Sequence, residues 1–296
     1  MRRVRLPFAV VAALTVVAQR PGLGGPLPLP AQRRWLKLAA RLLPQPRGTI
    51  VRQVDLGGRP ALRITVGASQ SRRAIVHLHG GAYLVGSPKT HRSLAAFLAE
   101  AAGVAVYLPD YRLAPENRYP AALDDAIAAC VEVAATHDQF AISGDSAGGG
   151  LAVAATRRLV DAGRPAPAAM GLISPWVDPL AKALGKKRDL VIREKWGTAS
   201  AAAYLGGGDP NDPGFAPALG NLAGLPPTLL QVGRTELLHG QDIRFARALE
   251  QAGVEVTVTE LPRLWHVGHA QAGLLAEAHD AVVELGEFLR KALYQD

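Results

Sequence analysis

The chain has 296 residues, of which 49% are hydrophobic and 20% charged, with a mean hydropathy of +0.10. These values exclude a disordered chain and a multi-span membrane protein, and they allow one large domain carrying an insertion. A formal charge of +8 invites a nucleic-acid reading, but the excess lies before Ala61, where eleven Lys or Arg residues accompany one acid, Asp55.

The arm opens Met1-Arg2-Arg3-Val4-Arg5 and continues as an apolar run from Leu6 to Ala18, similar to the n- and h-regions of a secretory signal. Thirteen residues are too few to span a bilayer comfortably, and Val16-Val17-Ala18-Gln19 is a weak cleavage site. The preferred reading is a helix that covers a substrate pocket or touches a membrane. No zinc-finger, RNP or helix-turn-helix pattern accompanies the basic residues, so no nucleic-acid partner is expected. An anionic membrane surface suits the arm better. The expected location is cytoplasmic, with membrane association and secretion both left open.

A Pro/Gly-rich passage from Pro21 to Pro30 leads to an amphipathic basic helix over Arg33 to Leu43, and residues 1–48 are read as one arm. Ile50 to Leu56 and Leu62 to Val66, joined by Gly57-Gly58, predict a hairpin. Further strands are predicted at Ala74 to Leu78, Val104 to Leu108, Phe140 to Ser143, Met170 to Ser174, Thr228 to Val232 and Val254 to Glu260. Helical stretches separate most of them: His91 to Ala102, Ala121 to Thr136, Ala147 to Ala162 and Gly240 to Ala252, with a terminal helix near Ala270 to Leu293. Cys130, the single cysteine, falls in such a stretch and reads as a small core residue. Buried strands alternating with helices imply a mostly parallel sheet covered on both faces. Residues 178–217 break the rhythm with a basic cluster (Lys182, Lys186, Lys187, Arg188) and a turn-rich run from Gly206 to Pro213. An insertion of this length reads as a lid, leaving residues 49–177 and 218–296 as the body.

Gly144-Asp145-Ser146-Ala147-Gly148 sits between a predicted strand and a predicted helix, the context of a nucleophile elbow. Upstream, His79-Gly80-Gly81 closes another apolar strand, and such a loop can aim backbone N–H groups at an oxyanion. A serine nucleophile needs a histidine base, which needs an orienting carboxylate. Chain order places that acid after the strand Thr228 to Val232, which favours Glu236 over Asp242 and Asp178. Asp242 reads as a solvated or helix-start charge.

Other polar residues have structural readings. His77-x-His79 and His266-x-x-His269 make a zinc site conceivable, but no H-E-x-x-H pattern supports it. His77 reads as strand packing, His79 as an organiser of the Gly loop, and His269 as the start of the terminal helix. Asp145 reads as an organiser of the elbow, and Arg112 with Glu116 as one polar network beneath the site.

The segments His79-Gly80-Gly81-Ala82-Tyr83, Asp110-Tyr111-Arg112-Leu113-Ala114-Pro115-Glu116, Gly144 to Gly149, Ser174-Pro175-Trp176-Val177-Asp178 and Leu264-Trp265-His266-Val267 together resemble the hormone-sensitive-lipase-like family of α/β-hydrolases. The resemblance implies an α/β-hydrolase fold with a mostly parallel central sheet, helices on both faces and a helical cap. It implies Ser146 as nucleophile, His266 as base, and Gly80, Gly81 and Ala147 as oxyanion-hole donors. No metal and no cofactor are expected. The implied function is a serine carboxylesterase acting on short- to medium-chain acyl esters, with a small-molecule ester as partner and a homodimer kept as a candidate. An amidase or deacetylase with the same residues, and a non-catalytic ligand-binding member of the fold, stay open as alternatives.

Overall fold

The structure is a computed structural model and describes residues 5–67, 71–180 and 189–295. Met1 to Val4 and the Lys182, Lys186, Lys187 and Arg188 cluster lie outside the described residues. Gly57 (φ +63°) and Gly58 (φ +73°) form the two-residue turn that folds Thr49–Leu56 (β1) back on Arg59–Val66 (β2). Positive φ at both central residues matches the twist of paired strands and favours glycine.

Six more strands follow: Arg73–Leu78 (β3), Ala105–Pro109 (β4), Gln139–Asp145 (β5), Met170–Ile173 (β6), Thr228–Gly233 (β7) and Val256–Leu261 (β8). They form one sheet in the order β1-β2-β4-β3-β5-β6-β7-β8, with the hairpin antiparallel at one edge and β4 to β8 parallel. β4, β6 and β7 are buried along their whole length, because helices cover both faces. Pro88–Ala102 (α3) and Ala276–Leu293 (α8) pack Leu94, Phe97, Leu285 and Leu289 on one face. Ala121–Thr136 (α4), Ala147–Asp161 (α5) and His239–Gln251 (α7) pack Cys130, Leu151, Phe245 and Leu249 on the other. Complete burial pushes the Cys130 thiol up to about 12, so it is inert at neutral pH.

The arm folds as two helices, Phe8–Gln19 (α1) and Leu29–Ala39 (α2), the second extended by a 3-10 turn at Ala40–Leu42. Val11 of α1 is buried against a cluster that includes Leu264, Trp265 and Leu275. Phe8 meets Trp265 edge to face at 5.5 Å, and Arg263 lies 4.3 Å over the Phe8 ring. On α2, Arg33 donates to the carbonyls of Leu84 and Ala114 and forks onto both oxygens of Glu116 at 2.8 Å. Arg112 instead forks onto Asp125 of α4. The single network expected of Arg112 and Glu116 is therefore two pairs, one holding the arm to the body and one inside the body.

Within the insertion, Glu194–Leu205 (α6) carries Tyr204, whose ring stacks on Tyr83 at 3.7 Å. The terminal helix starts later than expected, at Ala276, because a separate 3-10 turn occupies Gly268–Gln271. His269 lies in that turn and shares a hydrogen bond with Gln231 of β7, so it does not begin the terminal helix. Among the described residues, no helix is long and apolar enough to cross a membrane.

Candidate active site

β5 ends at Asp145 and α5 starts at Ala147, which leaves Ser146 in the turn with φ +51° and ψ −122°. A side chain rarely adopts this conformation, and its cost is met by surroundings that hold it. The Ser146 N–H donates to Ile173, and its carbonyl accepts from Gly149, Gly150 and Trp176. A Cβ on Gly144 would come within 2.2 Å of the Gly148 carbonyl, and one on Gly148 within 2.0 Å of the Leu78 carbonyl. Only glycine lets the elbow pass this close to its neighbours.

His266 follows β8 on a buried loop and places Nε2 2.9 Å from Ser146 Oγ. Its Nδ1 lies 3.7 Å from Glu236 Oε2, in the turn after β7. Glu236 is fully buried, and the same oxygen accepts from Ser174 Oγ at 2.9 Å. Burial pushes the His266 pKa down, but the Glu236 carboxylate beside Nδ1, helped by the charges of Asp189 and Asp145, carries it above its ordinary value.

Among the described residues, Glu236 is the carboxylate at ion-pair distance from His266. Asp178 shows no ion pair with His266 among the described residues, and its backbone N–H donates to Gln241 Oε1. Asp242 is not the solvated charge expected from sequence; it is fully buried, with no hydrogen-bond partner on either oxygen among the described residues. Burial, reinforced by the charge of Glu236, pushes its pKa well up, which favours the neutral acid. The signal was in the helix period: Asp242, Phe245, Ala246 and Leu249 share the buried face of α7.

The loop after β3 sets where the N–H groups of the expected oxyanion donors go. The Gly80 N–H donates to Asp145 Oδ1 at 3.1 Å and is spoken for. Gly81 (φ +124°), Ala82 (φ +52°) and Tyr83 (φ +61°) then turn through three successive positive-φ residues, a geometry that can make a nest for an anion. No partner takes the N–H of Gly81, Ala82 or Ala147 among the described residues. Ala82, missed from sequence, carries a backbone N–H beside that of Gly81 which no partner takes among the described residues.

Asp145 joins the two halves of the site. Besides Gly80, it meets His77 Nε2 at 3.1 Å and His91 Nε2 at 3.2 Å. His91, also missed from sequence, comes from the start of α3 and is steadied by Thr90 Oγ1 at 2.9 Å. Burial acts to raise the Asp145 pKa, but the charge of His91 and the hydrogen bonds of both histidines hold it well below the usual carboxylate range. His79 is buried and neutral, its pKa pushed down to about 3, and Nδ1–H donates to the Gly80 carbonyl. His77 and His79 thus serve the loop. Among the described residues, no group of three or more His, Cys, Asp or Glu is placed to hold a metal ion. Asp145→Asn is expected to lower kcat about 10- to 100-fold through a loosened loop, less than the 10²–10³ typical of deleting a donor outright. Steady-state kinetics would show this in kcat, and a change confined to KM would contradict it.

Ser146 borders two cavities. The larger, about 130 Å³, is lined from the arm by Ala18, Leu36, Ala39 and Leu43, from the body by Leu94 and from the insertion by Val191. The smaller, about 70 Å³, lies between Trp176, Arg193, Trp196 and Leu238. Two cavities that both reach Ser146 suit a substrate with two arms that meet at a reactive carbon.

The family model for the alpha/beta hydrolase fold matches residues 75–270. An acetyl-hydrolase of Streptomyces hygroscopicus is 42% identical over 80% of this chain and 85% of its own. An esterase of Acinetobacter venetianus is 34% identical over 87% of this chain and 88% of its own. A crystal structure of an esterase from the bacterial hormone-sensitive lipase family superposes with a TM-score of 0.91 at 32% identity, covering 97% of this chain and 98% of that one. Matching in sequence and in overall fold, the chain belongs to the α/β-hydrolase fold family, in its hormone-sensitive-lipase-like branch.

Proposed function

We propose that this serine carboxylesterase uses Ser146 as nucleophile, His266 as general base and acid, and Glu236 as the anion that orients the imidazole. The observation that carries this reading is the 2.9 Å approach of His266 Nε2 to Ser146 Oγ at the junction of the two cavities. Ser146 Oγ attacks the ester carbonyl carbon while its proton passes to His266 Nε2. The carbonyl oxygen becomes an oxyanion held by the N–H groups of Gly81, Ala82 and Ala147. Collapse expels the alcohol, which takes the proton from His266, and leaves an acyl-Ser146. Water then gives its proton to His266 and attacks the acyl carbon; the acid departs as Ser146 recovers its proton.

Residues 1–48 and 178–217 form the cap in this reading, and the arm supplies one wall of the acyl pocket. A cavity of about 150 Å³ holds benzene, so a 130 Å³ acyl pocket suits chains of about four to six carbons. The name of the acetyl-hydrolase relative agrees with a small acyl group. The test is a series of p-nitrophenyl esters from acetate to laurate. A kcat/KM optimum at butyrate or hexanoate is expected, whereas an optimum at decanoate or longer would remove the assignment of this pocket. Ala39→Phe fills the arm-side wall and should move the optimum toward acetate, with acetate turnover retained.

A further inference from the structure

Large exposed apolar side chains concentrate on the arm: Val10, Leu14 and Val17 on α1, and Trp35, Leu38 and Leu42 on α2 and its 3-10 extension. Val10, Leu14 and Val17 are spaced i, i+4, i+7, and Trp35, Leu38 and Leu42 are spaced i, i+3, i+7, so each set occupies one outward stripe of its helix. Val17 is 67% exposed and Leu42 is 86% exposed. The stripes are joined, because Trp35 Nε1 donates to the Ala18 carbonyl at the end of α1. The inner faces of the same helices are used otherwise: Val11 packs on the body and Leu36 and Ala39 line the acyl pocket. α1 contains no charged residue at all, so its outward face offers nothing but hydrocarbon to water. Exposed Arg34, Lys37 and Arg41 alternate with the apolar residues of α2, and the arm holds no acid before Asp55.

We propose that α1 and α2 form a docking face for an anionic lipid surface, which places the mouth of the acyl pocket against the bilayer interface. Apolar residues that enter the acyl boundary, flanked by Lys and Arg that meet anionic headgroups, define an interfacial helix. The charge pattern selects this occupant over a second copy of the chain, since two such faces would oppose Arg34, Lys37 and Arg41 to their own equivalents. The delivery of an ester from the bilayer to Ser146 rests on the hydrolase reading above; the docking itself does not.

The test is flotation of the full-length protein with vesicles of phosphatidylcholine alone or mixed with phosphatidylglycerol, alongside turnover of water-soluble p-nitrophenyl acetate. Binding is expected to the anionic vesicles and to weaken as added salt shortens the screening length from about 10 Å at 0.1 M to about 3 Å at 1 M. Lys37→Gln with Arg41→Gln should weaken it about 25-fold, at roughly fivefold per charge. Leu14→Ser with Leu38→Ser and Leu42→Ser should also weaken it, and acetate turnover should stay unchanged in both variants, since none of these residues lines the pocket. Ser146→Ala should bind vesicles like the wild type, which separates a failure of docking from a failure of the hydrolase assignment. Absence of vesicle binding, binding that ignores lipid charge, or a dimer in sedimentation that the serine variants dissolve would each overturn the proposal.

Discussion

Replacing Ser146 with alanine is expected to lower kcat for p-nitrophenyl butyrate by a factor on the order of 10⁶, the scale seen when one member of a serine triad is removed. The size follows from the chemistry: without Oγ no acyl-enzyme forms, and His266 is left to guide water to a carbonyl that nothing has captured. Ser146 is the N-cap residue of α5 but makes no side-chain capping bond there, so losing the hydroxyl should leave the helix in place. Circular dichroism and thermal unfolding check that the fold is kept. His266→Ala should resemble it, because the pair acts as a unit. A residual rate within tenfold of wild type would show that the nucleophile is elsewhere.

Glu236→Gln is expected to lower kcat by about 10⁴, the loss typical when an orienting carboxylate becomes an amide and the histidine tautomer goes wrong. Asp242→Asn should cost less than tenfold. Both acids are buried, but among the described residues only Glu236 lies at ion-pair distance from His266. Burial and the charge of Glu236 both favour the neutral form of Asp242, and an amide replaces a neutral acid at little electrostatic change. The pH profile gives a second readout. His266 must be unprotonated to accept the serine proton, and its pKa lies above the ordinary 6.5 because Glu236 outweighs burial. Wild-type activity should therefore fall as pH drops through a midpoint above 6.5. In Glu236→Gln, burial acts unopposed by that anion and the midpoint should move down. Equal losses for the two variants, or a midpoint that moves up, would assign the role to another carboxylate.

The strands and the body helices were legible because their apolar runs are bounded by turn residues, and the elbow was legible because its glycines are demanded by contacts of about 2 Å. What escaped depended on contacts between distant segments. Gly80 reads as a free donor until Asp145, 65 positions later, is seen to take its N–H. His91 has no motif around it, and only the fold brings α3 to the elbow. Asp242 was misread because a lone acid near a helix start is usually solvated; its apolar neighbours three, four and seven residues on place it inward. The arm was read as either a pocket wall or a membrane-contact helix. Residues on the inner faces of the two helices line the larger cavity, and their outer faces carry the exposed apolar stripes on which the docking proposal rests.

Covalent capture tests the central claim most directly. The wild-type protein is incubated with diethyl p-nitrophenyl phosphate, its intact mass is measured, and the modified peptide is sequenced by tandem mass spectrometry. Ser146 Oγ should displace p-nitrophenolate and retain one diethylphosphoryl group per chain at Ser146, with activity lost in step and no label on Ser146→Ala. An unmodified Ser146 in the inactivated enzyme, or a label on another residue that persists in Ser146→Ala, would contradict the account.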